Sequence, residues 1–109
     1  MELEVTDETF DKQVIAQSKK IPVLVDFWAS WCMPCTVLKP MLEKITKEYK
    51  GKFILAKVNV EDNQEKAGEY GVMSIPCVKL FKSGKIADEF IGAIPEQQVR
   101  NFLDRNLSN

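Results

Sequence analysis

The chain has 109 residues, 45% hydrophobic and 28% charged, with a net charge of −1 and no histidine. That size and balance predict one globular domain over residues 1–109, burying roughly two-thirds of its unfolded surface. The near-neutral charge gives no attraction for nucleic acid or an anionic membrane, and no apolar run reaches the ~20 residues that span a bilayer.

The acidic start, Met1-Glu2-Leu3-Glu4, has neither the basic region nor the apolar core of a signal peptide. The three cysteines are an odd number, unsuited to a disulfide-stapled secreted scaffold. A reducing cytoplasm is therefore expected, and there a Cys-x-x-Cys is catalytic or metal-binding rather than structural. The lack of histidine removes Cys/His and Ser/His nucleophile pairs and every mixed Cys/His zinc site.

Leu3 to Val5 reads as a short edge strand. Thr6 or Asp7 can cap the helix that follows, with Phe10, Val14 and Ile15 on its buried face. Val23 to Ala29 is apolar on both faces apart from Asp26, the pattern of a central strand covered by helices on both sides. Past it, Val37, Leu38, Met41, Leu42, Ile45 and Tyr49 recur at helical spacing until Gly51, with a kink expected at Pro40. Phe53 to Val60 is a second buried strand, interrupted only by Lys57. Glu61-Asp62-Asn63 is expected to cap a short helix from about Gln64 to Tyr70.

Cys77 to Phe81 is a strand, Lys82-Ser83-Gly84-Lys85 a hairpin turn, and Ile86 to Ile91 its partner. The closing helix carries Val99, Phe102, Leu103 and Leu107 on one face. Strands alternating with helices predict an α/β fold with parallel pairing, and the terminal hairpin adds an antiparallel portion. The expected architecture is a single mixed β-sheet of about five strands sandwiched by about four helices.

Cys32 and Cys35 fall where the apolar strand hands over to the long helix, at the strand end where open α/β sheets place their sites. Unpaired backbone N–H groups and the positive end of the helix dipole favour an anion there, so Cys32 is predicted to carry a thiolate. Pro34 suits the first helical turn, and Cys35 is close enough in that turn to reach the sulfur of Cys32. Dithiol redox chemistry is one reading. Half of a metal site and inert packing are the others, although zinc wants four ligands and this chain offers three cysteines. Asp26, a carboxylate inside a two-sided apolar strand, should have its pKa raised by burial. It reads as a proton acceptor or as the structural ion-pair partner of Lys57 on the next strand, and both can hold together, since a lysine partner would offset the upward shift.

Trp28-Ala29-Ser30-Trp31-Cys32-Met33-Pro34-Cys35, together with Asp26, Lys57, Ile75-Pro76, Gly84 and Gly92, resembles the thioredoxin family along the whole chain without insertion. Three positions depart from the commonest family pattern: Met33 and Ser74, where glycine is common, and Cys77, where threonine is usual. The resemblance implies the thioredoxin fold and a redox carrier with protein-disulfide reductase activity. In it Cys32 attacks a substrate disulfide and Cys35 resolves the mixed disulfide, with no cofactor and no metal. It favours the proton-transfer role for Asp26, modulated by Lys57. It also implies that Ile75-Pro76 is cis, against a base rate of about one X–Pro bond in twenty. Trp31, Met33, Pro34, Met73, Ile75, Pro76, Gly92 and Ala93 would then form the substrate-binding surface.

The implied partners are thioredoxin reductase or another dithiol donor, and disulfide-containing protein substrates. The domain itself is expected to be a monomer. Three other functions stay open at this point, one of them a cysteine-ligated metal or iron–sulfur site. Met33 lies between the cysteines, where residues set the potential, which leaves room for a glutaredoxin-like or oxidising role. The groove around Pro76 leaves room for a binding subunit whose redox activity is incidental. Cys77 is read as a small buried hydrophobe, with a third reactive thiol as the sharper alternative.

Overall fold

Val23–Trp28 forms β2 because its β-branched and aromatic residues find cover on both faces: all but Trp28 are buried. In the computed structural model, which describes residues 1–108, β2 lies at the centre of a five-stranded sheet. The other strands are β1 (Glu2–Glu4), β3 (Ile54–Asn59), β4 (Cys77–Lys82) and β5 (Lys85–Ile91), in the order β1-β3-β2-β4-β5. β3 runs parallel to both β1 and β2, whereas β4 is antiparallel to β2 and to β5. This is the mixed sheet expected from the sequence. Asn109, the last residue of the expected domain, lies outside the described residues.

Among the described residues three α-helices flank the sheet: α1 (Met33–Glu48), α2 (Gln64–Glu69) and α3 (Glu96–Leu107). Strand alternation divides the core in two. Leu24, Val78 and Leu80 meet Leu38, Leu42 and Ile45 of α1 and Val99, Phe102 and Leu103 of α3. On the other face Val25, Phe27, Cys77 and Phe81 meet Phe10, Val14 and Ala67. Fully burying one such aliphatic or aromatic side chain contributes about 1.5–3 kcal/mol, so these two layers hold the sheet in place. The helix α1 runs continuously through Pro40. The hairpin turns on Ser83 and Gly84, both at positive φ (54° and 84°), the pair of conformations that matches the twist of the flanking strands.

The first helical stretch differs from the expected regular helix. It is wide over Asp11–Ala16 and tight over Gln17–Lys19. Thr6 does hold its start, since Thr6 Oγ1 accepts from the Thr9 N–H (3.3 Å) and Thr9 Oγ1 from the Thr6 N–H (3.0 Å). Asp7 does something else. Its carboxylate accepts from the N–H groups of Glu65 (3.1 Å) and Lys66 (2.9 Å), capping α2 from a distant segment. Asn63, expected to cap α2 itself, makes no side-chain cap there. Its Oδ1 instead accepts from the Asp7 N–H at 3.0 Å, which fixes the remote cap.

Candidate functional site

The chain leaves β2 through a turn closed by the Cys32 N–H donating to the Ala29 carbonyl (3.2 Å) and enters α1 at Cys32, whose backbone is extended (φ −92°, ψ 108°). Cys32 is the N-cap, with Pro34 in the first turn as expected. Its sulfur takes the place a serine or aspartate oxygen holds at other helix starts, accepting from the Cys35 N–H at 3.2 Å. Cys32 and Cys35 are joined as a disulfide, their Cα atoms 5.2 Å apart. The bond sits in a small apolar nest of Ala29, Trp28, Val60 and Ile75. The turn before it is braced by Glu61, whose Oε1 accepts from both the N–H and the hydroxyl of Ser30 (2.8 Å each). Sequence reading missed this brace, because nothing in periodicity links two loop residues 31 positions apart.

The residues expected to bind substrate fall into three groups. Trp31, Met73 and Ile75 line one shallow pocket of about 210 Å³ with Val60, Ala67 and Val72. Met73 and Trp31 are 92% and 69% exposed, so their apolar surface faces solvent with nothing covering it. Pro76 is buried, the Ile75–Pro76 bond is cis, and the Pro76 carbonyl accepts from the Gly92 N–H at 2.8 Å. That bond ties Gly92 and the exposed Ala93 to the start of β4. Among the described residues, neither the N–H nor the carbonyl of Ile75 has a backbone partner. Met33 and Pro34 are exposed on the first turn of α1, outside that pocket. Val37, one of the apolar residues at helical spacing in α1, is 59% exposed one turn further on. A larger depression of about 520 Å³ lies against Pro22, Tyr49, Lys52 and Asp104, but no expected site residue lines it.

Asp26 is 1% exposed, and its Oδ1 has no hydrogen-bond partner. Burial pushes its pKa up to about 7, against the lowering influence of Lys57 and Lys39; Glu43 adds to the rise. The ion pair anticipated between Asp26 and Lys57 is not made. The two residues face each other in register across β2 and β3, but the Lys57 ammonium bonds to Glu43 (2.9 Å) and Glu2 (3.2 Å). Burial works against the charge on Lys57, and those two hydrogen bonds outweigh it, holding its pKa above the ordinary lysine range. A lysine stem is long enough to choose among several acids, which is why strand register alone did not predict its partner.

Cys77 is a free, buried thiol, and burial pushes its pKa up. It packs among Phe10, Phe27 and Phe81, on the sheet face opposite α1 and the dithiol. Among the described residues no three acidic, cysteine or histidine side chains converge as metal ligands. Cys77→Ser is expected to cost about 1 kcal/mol through its buried hydroxyl, with an unchanged Cys32–Cys35 potential. A shifted potential, or a bond to Cys77 in the oxidised protein's peptide map, would place the third thiol in the redox chemistry.

Comparison with known proteins agrees with this geometry. The sequence model of the thioredoxin family matches residues 2–105. Thioredoxin of Chlorobaculum thiosulfatiphilum is 42% identical over 104 residues, covering 95% of this chain and 94% of that protein. Thioredoxin 1 of Nostoc sp. is 40% identical, with 95% of both chains covered. Thioredoxin of Buchnera aphidicola is 42% identical over 106 residues, covering 97% of this chain and 96% of that protein.

Proposed function

The chain belongs to the thioredoxin family and is a thioredoxin-type disulfide oxidoreductase, and from that premise we propose that it works as a reductant of disulfides in other proteins. The thiolate of reduced Cys32 attacks one sulfur of a substrate disulfide. A Cys32–substrate bond forms and the other substrate sulfur leaves as a thiolate. The Cys35 thiolate then attacks Cys32 Sγ, releasing the second substrate thiolate and closing the Cys32–Cys35 disulfide. Two electrons pass to the substrate, and two must return from thioredoxin reductase or another dithiol donor.

The observation that carries this reading is the position of the Cys32 sulfur. It caps α1 and accepts the Cys35 N–H, so the helix start that receives the disulfide also stabilises a thiolate on Cys32. Asp26, with its raised pKa, is the proton acceptor for Cys35 in this scheme. The unpartnered backbone of Ile75 supports docking of an extended substrate segment as an added strand, its side chains resting on Trp31, Met73 and Ala93. Met33 and Pro34 on one side, and Pro76 and Gly92 on the other, complete that surface. The protein acts as a monomer in the cytoplasm, where a donor can recharge the dithiol; among the described residues no helix is long and apolar enough to cross a membrane.

Met33 favours a second reading, a glutaredoxin-like or oxidising role, because it lies between the cysteines. The reduction potential decides. Thioredoxin is itself the reference case on this scale at about −270 mV, and this protein is expected near that value. A potential above about −200 mV would overturn the reductant reading, and Met33→Gly would then be expected to lower it.

A further inference from the structure

Glu4, Lys57 and Asp26 form one row across three adjacent strands, Glu4 paired in register with Lys57 on β1 and β3, and Lys57 with Asp26 on β3 and β2. Register partners project to the same face, about 4.8 Å apart, so the Lys57 ammonium has a carboxyl group on either side. It makes its ion pairs with glutamates and none with Asp26. Its contacts are Glu43 Oε2 at 2.9 Å, Glu2 Oε1 at 3.2 Å and Glu4 Oε2 at 3.6 Å, whereas Asp26 Oδ1 is left without a partner. Lys57 is buried, so its charge is poorly screened and its direction matters to everything near it.

We propose that Glu2, Glu4 and Glu43 are positioning residues for disulfide exchange: they hold the Lys57 ammonium off Asp26 and so keep that carboxyl able to take a proton. The inference rests on Asp26 serving as the proton acceptor only for its catalytic consequence, not for the electrostatics. An ammonium released from these carboxylates and free to pair directly with Asp26 would favour its carboxylate strongly. The charged or titratable groups facing Asp26 are Lys57 from β3 and Lys39 and Glu43 from α1; Cys77 of β4 lies on the opposite sheet face. Those facing Lys57 are Glu2 and Glu4 from β1 and Glu43 from α1. Glu43 acts on Asp26 directly as well as through Lys57, so it cannot isolate the effect. Glu2 and Glu4 sit on the far side of Lys57 in the sheet order, and the Lys57→Met background separates any direct effect they have on Asp26.

The test is the protonation of Asp26, read from its side-chain carboxyl carbon by NMR across pH, with Asp26→Asn assigning the signal. Glu2→Gln with Glu4→Gln is expected to weaken proton binding at Asp26 about tenfold. The same pair in a Lys57→Met background is expected to leave it unmoved. An unchanged midpoint in the Lys57 protein, or an equal shift in both backgrounds, would overturn the inference. Should the double replacement fail to fold, Glu2→Gln alone must still move the midpoint in the same direction. A second readout separates this inference from the role of Asp26. If the carboxyl midpoint moves while the pH profile of mixed-disulfide resolution stays put, the positioning of Lys57 stands and proton transfer by Asp26 falls.

Discussion

Cys32→Ser is expected to lower the rate of protein-disulfide reduction at least about 10³-fold, to the level of the donor alone. Cys35→Ser is expected to stall one step later. The two variants differ because the two sulfurs occupy different places in the same helical turn. Cys32 caps α1 and its sulfur faces the first free N–H groups, whereas Cys35 lies inside the helix and donates its own N–H to that sulfur. A serine at the cap position keeps the hydrogen bond and the fold but is no nucleophile near neutral pH. With Cys35 replaced, Cys32 can still attack, but nothing nearby can displace the substrate. Mass spectrometry should then find a covalent protein–substrate species that added dithiol releases. Trapping by Cys32→Ser instead would reverse the assignment of the two roles. The pair also tests the scaffold alternative, since a subunit needed only for its groove at Pro76 would support growth with both cysteines replaced.

How much of this was legible before the structure depended on the range over which each feature is encoded. The strands, α1 and the hairpin follow from periodicity and from Ser83-Gly84, all readable within a few residues. The dithiol is equally local, because a cap position is set by its own strand-to-helix junction. Of the two cap candidates Thr6 and Asp7, Thr6 holds the nearby helix start, and the role of Asp7 is not legible locally. Its sequence context suits a cap for the helix just after it, yet the fold brings the start of α2 to it from 58 residues away. Val37 recurs at helical spacing, but Cys35, Leu38, Leu42 and Ile45 form the buried side of α1 and leave Val37 on its exposed flank. Lys57 shows the same limit in electrostatics. Register places it beside Asp26, and only the packing of β1 and α1 around it reveals three competing carboxylates.

Asp26→Asn is expected to make the protein slower and, above neutrality, more stable. The folded carboxyl titrates near 7, whereas its ordinary value is 3.8. Between those two values the folded chain keeps a proton that the unfolded chain has lost. Unfolding then releases a proton, so the group's contribution is full below about pH 4, drains away as pH rises, and is spent above about pH 7. A difference of about three pH units corresponds to about 4 kcal/mol at most. An asparagine does not titrate, so the variant should escape this loss. Its amide also lacks a partner for the position of Oδ1, at a cost of about 1–3 kcal/mol at every pH. The informative quantity is therefore the change in relative stability with pH. From pH 4 to pH 8 the variant should gain about 2–4 kcal/mol on the parent, a relative shift in the unfolding midpoint on the order of 10 °C. Parallel curves would show that Asp26 has an ordinary pKa. Resolution of the mixed disulfide should meanwhile slow about 10²-fold, the usual worth of a positioned proton acceptor. A structural ion pair predicts the reverse sign, because removing one partner of a buried pair destabilises most where both are charged. Lys57 bonds to its own carboxylates and leaves Asp26 unpaired, so the proposed proton-acceptor role and a structural ion pair predict opposite signs for this pH dependence.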